Sequence, residues 1–159
     1  MNPLERISKW FTRRECTRSD NAARHGIENE PNAIQWQAII YLMTNVMDRI
    51  RELCNAAIRP SSVFRNPKVN ELAGGSENSD HMKGQACDFL PIGWTVRDTM
   101  KVIIANNIVF DQLIDEFGAW VHISVREKGV NRGQILQYRR VNGKVVKTYL
   151  TREQVLLAS

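Results

Sequence analysis

The feature that most constrains the fold is a long stretch of helical periodicity at residues 33–54. Asn32 stands where a helix cap is expected. Apolar side chains then recur at three- and four-residue steps: Ile39, Leu42, Val46, Ile50 and Leu53. This spacing predicts an amphipathic helix with one face in a core. The chain has 159 residues, one domain's worth of length, and a domain of that size builds a core without disulfide staples.

Shorter elements follow this helix. Helices are predicted at residues 67–72 and from a Thr95 cap to about residue 106. Strands are predicted at residues 58–65 (broken by Pro60), 85–90, 110–114 and 120–125. Asn142-Gly143 lies between β-rich segments within residues 135–150 and predicts a hairpin. We therefore expect a single α+β domain, with a central, mainly antiparallel sheet packed against helices and a C-terminal β-hairpin.

Composition excludes several classes of protein. Apolar residues make up 43% and charged residues 25%, which is not the composition of a disordered or collagen-like chain. No apolar run approaches the roughly 20 residues of a membrane span, and no secretory signal is visible at the N-terminus. The three cysteines are odd in number and form no CxxC motif, so we expect buried, reduced thiols.

Charge is distributed unevenly. The chain carries a net +5, and residues 126–159 hold eight Lys/Arg against two acids. A basic region of this kind could favour a polyanion, either nucleic acid or an anionic cell-wall polymer. Solvated surface is the preferred interpretation. No RNP, zinc-finger or basic-zipper pattern accompanies the charge, which argues against nucleic acid as the partner.

Two of the three histidines are candidates for chemistry. His25 lies near a turn and is interpreted as a surface or local structural residue. His81 and Asp88 lie in 79-SDHMKGQACDF-89, and His122 lies in 120-WVHIS-124. Asp88 falls within an apolar strand and needs a partner, because an unpaired buried charge is costly. Two histidines and one carboxylate would hold zinc with a fourth position open, as in catalytic sites.

A zinc-activated water also requires a base. Glu116, six residues before His122, is the first candidate, and Asp115 is the alternative. Strand alternation turns one of the two away from the site. The competing interpretation is that these histidines and acids are surface groups or satisfied core groups.

Three linked motifs carry a family resemblance over roughly residues 10–126. They are 62-SVFRNPKVNELAGGSENS-79, 79-SDHMKGQACDF-89 and 112-QLIDEFGAWVHISV-125. The opening segment 11-FTRRECTRSDNAARHGIENEP-31 contributes as well. Together they resemble the zinc D-alanyl-D-alanine peptidases, whose fold is shared with the signalling domain of hedgehog. The small forms common in bacteriophages are the most similar.

The resemblance implies roles for individual residues. His81, Asp88 and His122 would be the ligands of one zinc ion. Arg65 would act in catalysis and substrate binding, holding the substrate's carboxylate or polarising the scissile carbonyl. Ser79 would position the substrate or the metal-site loop.

The implied base is Glu116, as in the hedgehog-like branch. Several lytic members place the base three residues before the last histidine, where this chain has Ala119. Others have a histidine two residues before it, where this chain has Trp120, a residue expected to contact substrate.

The implied function is a zinc metallopeptidase that hydrolyses peptidoglycan stem peptides or cross-links. It would be a monomer of the phage endolysin or virion-associated type, made in a host cytoplasm and acting at the cell wall. Residues 127–159 would form a hairpin extension of one domain spanning residues 1–159. The main alternative is a non-catalytic, zinc-containing structural or binding module of a phage particle. A third is a nucleic-acid-binding protein that uses the basic C-terminal ribbon.

Overall fold

Helices dominate the first half of the chain and strands the second half, in a computed structural model that describes residue 2 and residues 4–158. The helices are α1 (Arg13–Thr17), α2 (Asp20–His25), α3 (Ala33–Leu42), α4 (Asp48–Cys54), α5 (Pro67–Leu72), α6 (Val96–Ala105) and α7 (Arg152–Leu157). The strands are β1 (Ala86–Phe89), β2 (Gln112–Glu116), β3 (Trp120–Ser124), β4 (Gln134–Val141) and β5 (Lys144–Leu150).

The five strands form one sheet in the order β1-β3-β2-β4-β5. Every neighbouring pair is antiparallel except β2 and β4, which run parallel. Asn142 and Gly143 join β4 to β5 with φ angles of 50° and 76°, the left-handed pair that a two-residue hairpin turn requires. The predicted α+β class, the mainly antiparallel sheet and the C-terminal hairpin are confirmed.

Residues 33–54 are helical throughout, but a π-helical turn, Met43–Met47, joins α3 to α4. The Asn32 side chain accepts a hydrogen bond from the Gln35 amide at 2.9 Å, and the Gln35 side chain accepts one from the Asn32 amide at 2.8 Å. Four predicted face residues are buried: Ile39, Leu42, Val46 and Ile50. Leu53 is 38% exposed and Cys54 is buried instead, because a π turn holds more residues than an α turn and shifts the buried face downstream.

Two further parts of the chain differ from the sequence-based expectation. The prediction of a strand at residues 58–65 is wrong: these residues form only isolated bridges, between Ile58 and Pro91 and between Ser62 and Asp88. Pro60 lacks the N–H that a continuous ladder needs. Helix α7 was not predicted, and a capping box of Thr151 and Gln154 begins it. No helix in the described part of the chain is long and apolar enough to cross a membrane.

One face of the sheet packs against the helices. Its side chains include Cys87 of β1, Leu113 of β2, Ile123 of β3 and Ile135 of β4. Strand alternation turns the intervening residues to the opposite face, which we call the open face. The open face carries Asp88, Glu116, His122 and Tyr138.

All three cysteines are free and buried, as the sequence predicted. Cys16 lies on α1, Cys54 ends α4, and Cys87 lies on β1. Burial raises the pKa of Cys54 to about 11 and raises those of Cys16 and Cys87 further. The three thiols are therefore protonated at neutral pH.

Candidate metal centre

His81, Asp88 and His122 come together at one end of the open face. Asp88 on β1 and His122 on β3 are direct cross-strand partners. His81 comes from a 3-10 turn, Asp80–Lys83, immediately before β1. One ligand atom from each of the three residues can be chosen so that all lie within 4.8 Å of one another. His25 lies outside this cluster, on α2, with its ring against the backbone oxygen of Asn21.

The turn that carries His81 is held by its neighbours. The Ser79 hydroxyl accepts a hydrogen bond from the His81 amide at 3.3 Å, and Gly84 ends the turn with a φ of 72°. A Cβ on Gly84 would stand 2.7 Å from the backbone oxygen of Gln35. The Gln35 side chain in turn donates to the Met82 carbonyl at 2.9 Å. The turn is therefore seated directly on α3.

The ring of His81 is fixed in one tautomer. Its Nδ1 lies 2.7 Å from the backbone oxygen of Val63, and a carbonyl can only accept, so Nδ1 carries the proton. Nε2 is left with its lone pair, 3.2 Å from Asp88 Oδ2. Burial lowers the pKa of His81, although the charge of Asp88 opposes this. The residue is thus a neutral imidazole, the form that binds a metal.

Asp88 is the anionic member of the cluster. Its Oδ1 lies 2.8 Å from His122 Nδ1, and its Oδ2 accepts a hydrogen bond from Arg65 Nη2 at 2.8 Å. Burial by itself would raise the pKa of Asp88, but the two histidine rings beside the carboxylate outweigh this effect. The pKa is therefore well below its ordinary value. A buried carboxylate held in its charged form is a strong ligand for a divalent cation.

This donor set fits zinc. Two imidazole nitrogens and one carboxylate oxygen converge, and the tautomer and orientation of His81 are set by a backbone carbonyl behind it. Three protein ligands leave a fourth position for water or substrate, which distinguishes catalytic from structural zinc sites.

The two candidate bases lie on opposite faces of the sheet. Glu116 pairs with Trp120, two residues from His122, and shares the open face with it. Asp115 points to the helix side, where the Arg139 guanidinium and the Gly118 amide bind its carboxylate. Burial raises the pKa of Glu116, and the charge of His122 opposes this shift. Glu116 is therefore the acid that can act at the metal centre, and its role as base remains a prediction.

Arg65 and Trp120 also face the cluster. Arg65 donates through Nε to Ser62 Oγ at 2.7 Å and through Nη2 to Asp88, while its Nη1 has no hydrogen-bond partner in the described structure. Trp120 Nε1 is buried and likewise has no partner among the described residues. The predicted substrate contacts of Arg65, Ser79 and Trp120 remain predictions.

Sequence reasoning did not identify an aromatic cluster around Glu116, formed by Phe117, Trp120 and Tyr138. The Phe117 ring lies 6.2 Å from that of Trp120 and 6.4 Å from that of Tyr138, both edge to face. The sequence held only part of the signal: the two-residue turn at Asn142-Gly143 fixes Tyr138 opposite Lys147. The parallel pairing that brings Tyr138 beside Glu116 has no such local signal.

Comparison with known proteins agrees with this geometry. The family model described as peptidase M15 matches residues 9–124, a range that contains all three proposed metal ligands and Glu116. No curated protein matches the chain. The match covers most of the sequence and ends with the last residue of β3. The chain therefore belongs to the peptidase M15 family, the family of zinc D-alanyl-D-alanine carboxypeptidases.

Proposed function

We propose that the protein hydrolyses bonds of the D-alanyl-D-alanine type in peptidoglycan stem peptides or their cross-links. Family membership supports a zinc-dependent peptidase that acts on peptidoglycan peptides. The observation that carries the finer proposal is the convergence of His81, Asp88 and His122 within 4.8 Å, with Glu116 on the same face of the sheet.

The protein's own residues define the proposed site. His81, Asp88 and His122 would hold zinc, which supplies positive charge that polarises a scissile carbonyl and activates water. The Val63 carbonyl keeps His81 in the tautomer that ligation requires. The Arg65 guanidinium also binds the Asp88 carboxylate, through Oδ2.

Glu116 would accept the proton of the attacking water and return it to the leaving amine. Burial raises its pKa, and a carboxylate with a raised pKa is a stronger base than a fully solvated one. Glu116 is half-buried, and the aromatic cluster lies beside it.

Arg65 and Trp120 would orient the substrate. The unpartnered Nη1 of Arg65 is available for a substrate carboxylate or for the oxygen of the scissile carbonyl. The indole N–H of Trp120 is a buried donor, which a peptide carbonyl could satisfy.

The biological setting belongs to the same proposal. The resemblance of residues 10–126 to small bacteriophage forms supports an endolysin or a virion-associated murein hydrolase. The protein would be made in a host cytoplasm, and it would act at the cell wall after release or as part of a particle. It would work as a monomer.

The test is digestion of purified sacculi with the zinc-loaded protein, with the released fragments identified by mass spectrometry. A parallel sample contains a chelator, and Glu116→Gln serves as the matched inactive control. We expect chelator-sensitive fragments from the wild type, whose masses identify the bond cut. A folded, zinc-loaded sample that releases nothing would contradict the proposal and favour the non-catalytic zinc module.

A further inference from the structure

The β4–β5 ribbon, residues 134–150, lies beyond the residues that the family model matches. It contains four cations and no acid. Parallel pairing of β4 with β2 attaches the ribbon to the strand that carries Glu116. The ribbon therefore lies outside the region matched by the family model, and it adjoins the proposed active site.

Strand register determines which ribbon side chains share the open face with the metal centre. Tyr138 is the direct partner of Glu116 on one side and of Lys147 on the other. Directly paired residues project from the same face of a sheet. Glu116, Tyr138 and Lys147 thus form a row across three strands, leading away from the metal ligands.

The two ribbon cations nearest the aromatic cluster are each held against a ring. Lys147 Nζ lies 4.8 Å from the centre of the Tyr138 ring. The Arg140 guanidinium lies 5.0 Å from the centre of the Phe117 ring. A cation over an aromatic face is positioned without losing its charge, and its outward N–H groups stay available to an anion.

Lys147 differs from the ribbon cation that is already paired. Arg139 projects from the helix side and is bound by Asp115. Lys147 is exposed and makes no salt bridge within the described residues. Its charge acts on Glu116 by lowering that residue's pKa, although burial dominates the net shift. The ammonium therefore lies near the proposed site with no protein carboxylate bound to it.

We propose that Lys147, seated on Tyr138, binds a carboxylate of the substrate and makes the enzyme selective for an acidic peptide. Neighbouring strands lie about 4.8 Å apart. Strand β4, which carries Tyr138, is two strands from β3, which carries His122, so the ammonium over Tyr138 lies ~10 Å across the sheet from β3. An extended peptide spans about 3.4 Å per residue, so the carboxylate lies about three residues from the scissile bond.

The substrate class follows from this spacing and charge, and the inference rests on the proposed function. A peptidoglycan stem carries the free carboxylate of its D-glutamyl residue a few residues before its terminal D-alanines. A stem in which that carboxylate is amidated has the same shape but no charge at this point. The ribbon would thus distinguish the two kinds of stem.

The test compares two synthetic stem pentapeptides that differ only in a free or an amidated D-glutamyl carboxylate. Hydrolysis and binding affinity are both measured for the zinc-loaded wild type, Lys147→Met and Lys147→Arg. The control is Lys144→Met, because Lys144 lies on the same strand but projects from the opposite face.

We expect the wild type to favour the free carboxylate by about 5- to 10-fold, mainly in KM and Kd, as for one charged contact near the surface. Lys147→Met should remove this preference by weakening only the free-carboxylate peptide. Lys147→Arg should restore it, and Lys144→Met should leave it unchanged.

If the wild type hydrolyses both peptides equally well and binds them with equal affinity, the inference is overturned and the proposed function still stands. Loss of preference in Lys144→Met overturns it too, because the effect would then be one of general charge. A wild type that hydrolyses neither peptide but binds the free carboxylate more tightly through Lys147 contradicts the proposed function and supports the subsite. If Lys147→Met weakens binding of DNA or a teichoic acid and treats the peptides as the wild type does, the ribbon serves a polyanion instead.

Discussion

Gly84→Ala should destabilise the fold and weaken zinc binding through one added methyl group. Gly84 ends the turn that carries His81 and has a φ of 72°, a conformation that L-residues adopt at a cost of about 1–2 kcal/mol. The new Cβ would also meet the backbone oxygen of Gln35 at 2.7 Å and Ile39 Cγ1 at 2.8 Å. The oxygen belongs to helix α3 and cannot move without shifting it.

The backbone strain and the steric clash both lower the free energy of unfolding, and their costs add. Overpacking a well-filled contact costs about 1–3 kcal/mol, so the free energy of unfolding should fall by about 2–5 kcal/mol in total. Gly26→Ala is the matched control, since Gly26 also ends a short helix, has a φ of 62° and has open space where a Cβ would be. It should cost about 1–2 kcal/mol, which is the strain alone.

Urea denaturation of both variants measures this difference, and zinc titration of the folded proteins measures the effect on His81. We expect Gly84→Ala to bind zinc more weakly, because relief of the contact displaces the turn from α3. Equal destabilisation by the two substitutions, with unchanged zinc affinity, would refute the idea that α3 seats the metal-binding turn.

Other perturbations separate the roles of individual acids and ligands. Glu116→Gln should keep its zinc, measured by metal analysis, and lose about 10²–10⁴ in kcat; a wild-type rate would exclude Glu116 as the base. Asp115→Asn should keep kcat per folded molecule in the sacculus assay. Burial alone would raise the pKa of Asp115, but the Arg139 guanidinium holds it below its ordinary value. In the wild type this ion pair therefore stabilises the fold above about pH 4, and the stabilisation is lost as the pH falls below that value. Unfolding measured as a function of pH should show a smaller loss of stability on acidification in the variant. His81→Ala should lower zinc content at equal protein concentration, and unchanged content would remove it from the ligand set. Asp48→Ala should cost about 2–4 kcal/mol in denaturation, because its carboxylate accepts hydrogen bonds from three donors in residues 8–10.

Local sequence signals predicted the elements whose causes are local. The Asn32 cap, the Thr95 cap and the Asn142-Gly143 turn each act within a few residues, and each appears in the structure where it was expected. Strand alternation required that Asp115 and Glu116 face opposite sides. It could not say which of the two faces the metal ligands, because that depends on how β2 pairs with β3.

Features that depend on distant contacts had no local signal. The π turn within residues 33–54 is set by packing, so the exposure of Leu53 could not be predicted from periodicity. The contact of Arg65 with Asp88 joins residues 23 apart in sequence. The family resemblance identified both residues, but only the fold shows that the guanidinium is already bound to the proposed metal ligand.

The three buried thiols can serve as chemical probes of partial unfolding. A thiol-specific reagent can modify each one only when its surroundings open, since none is exposed in the native state. Cys16 would report opening of the N-terminal helix, Cys54 of the end of α4, and Cys87 of the sheet beside Asp88. Labelling rates measured residue by residue, with and without zinc, would show whether the metal protects the whole domain or only the strand that binds it.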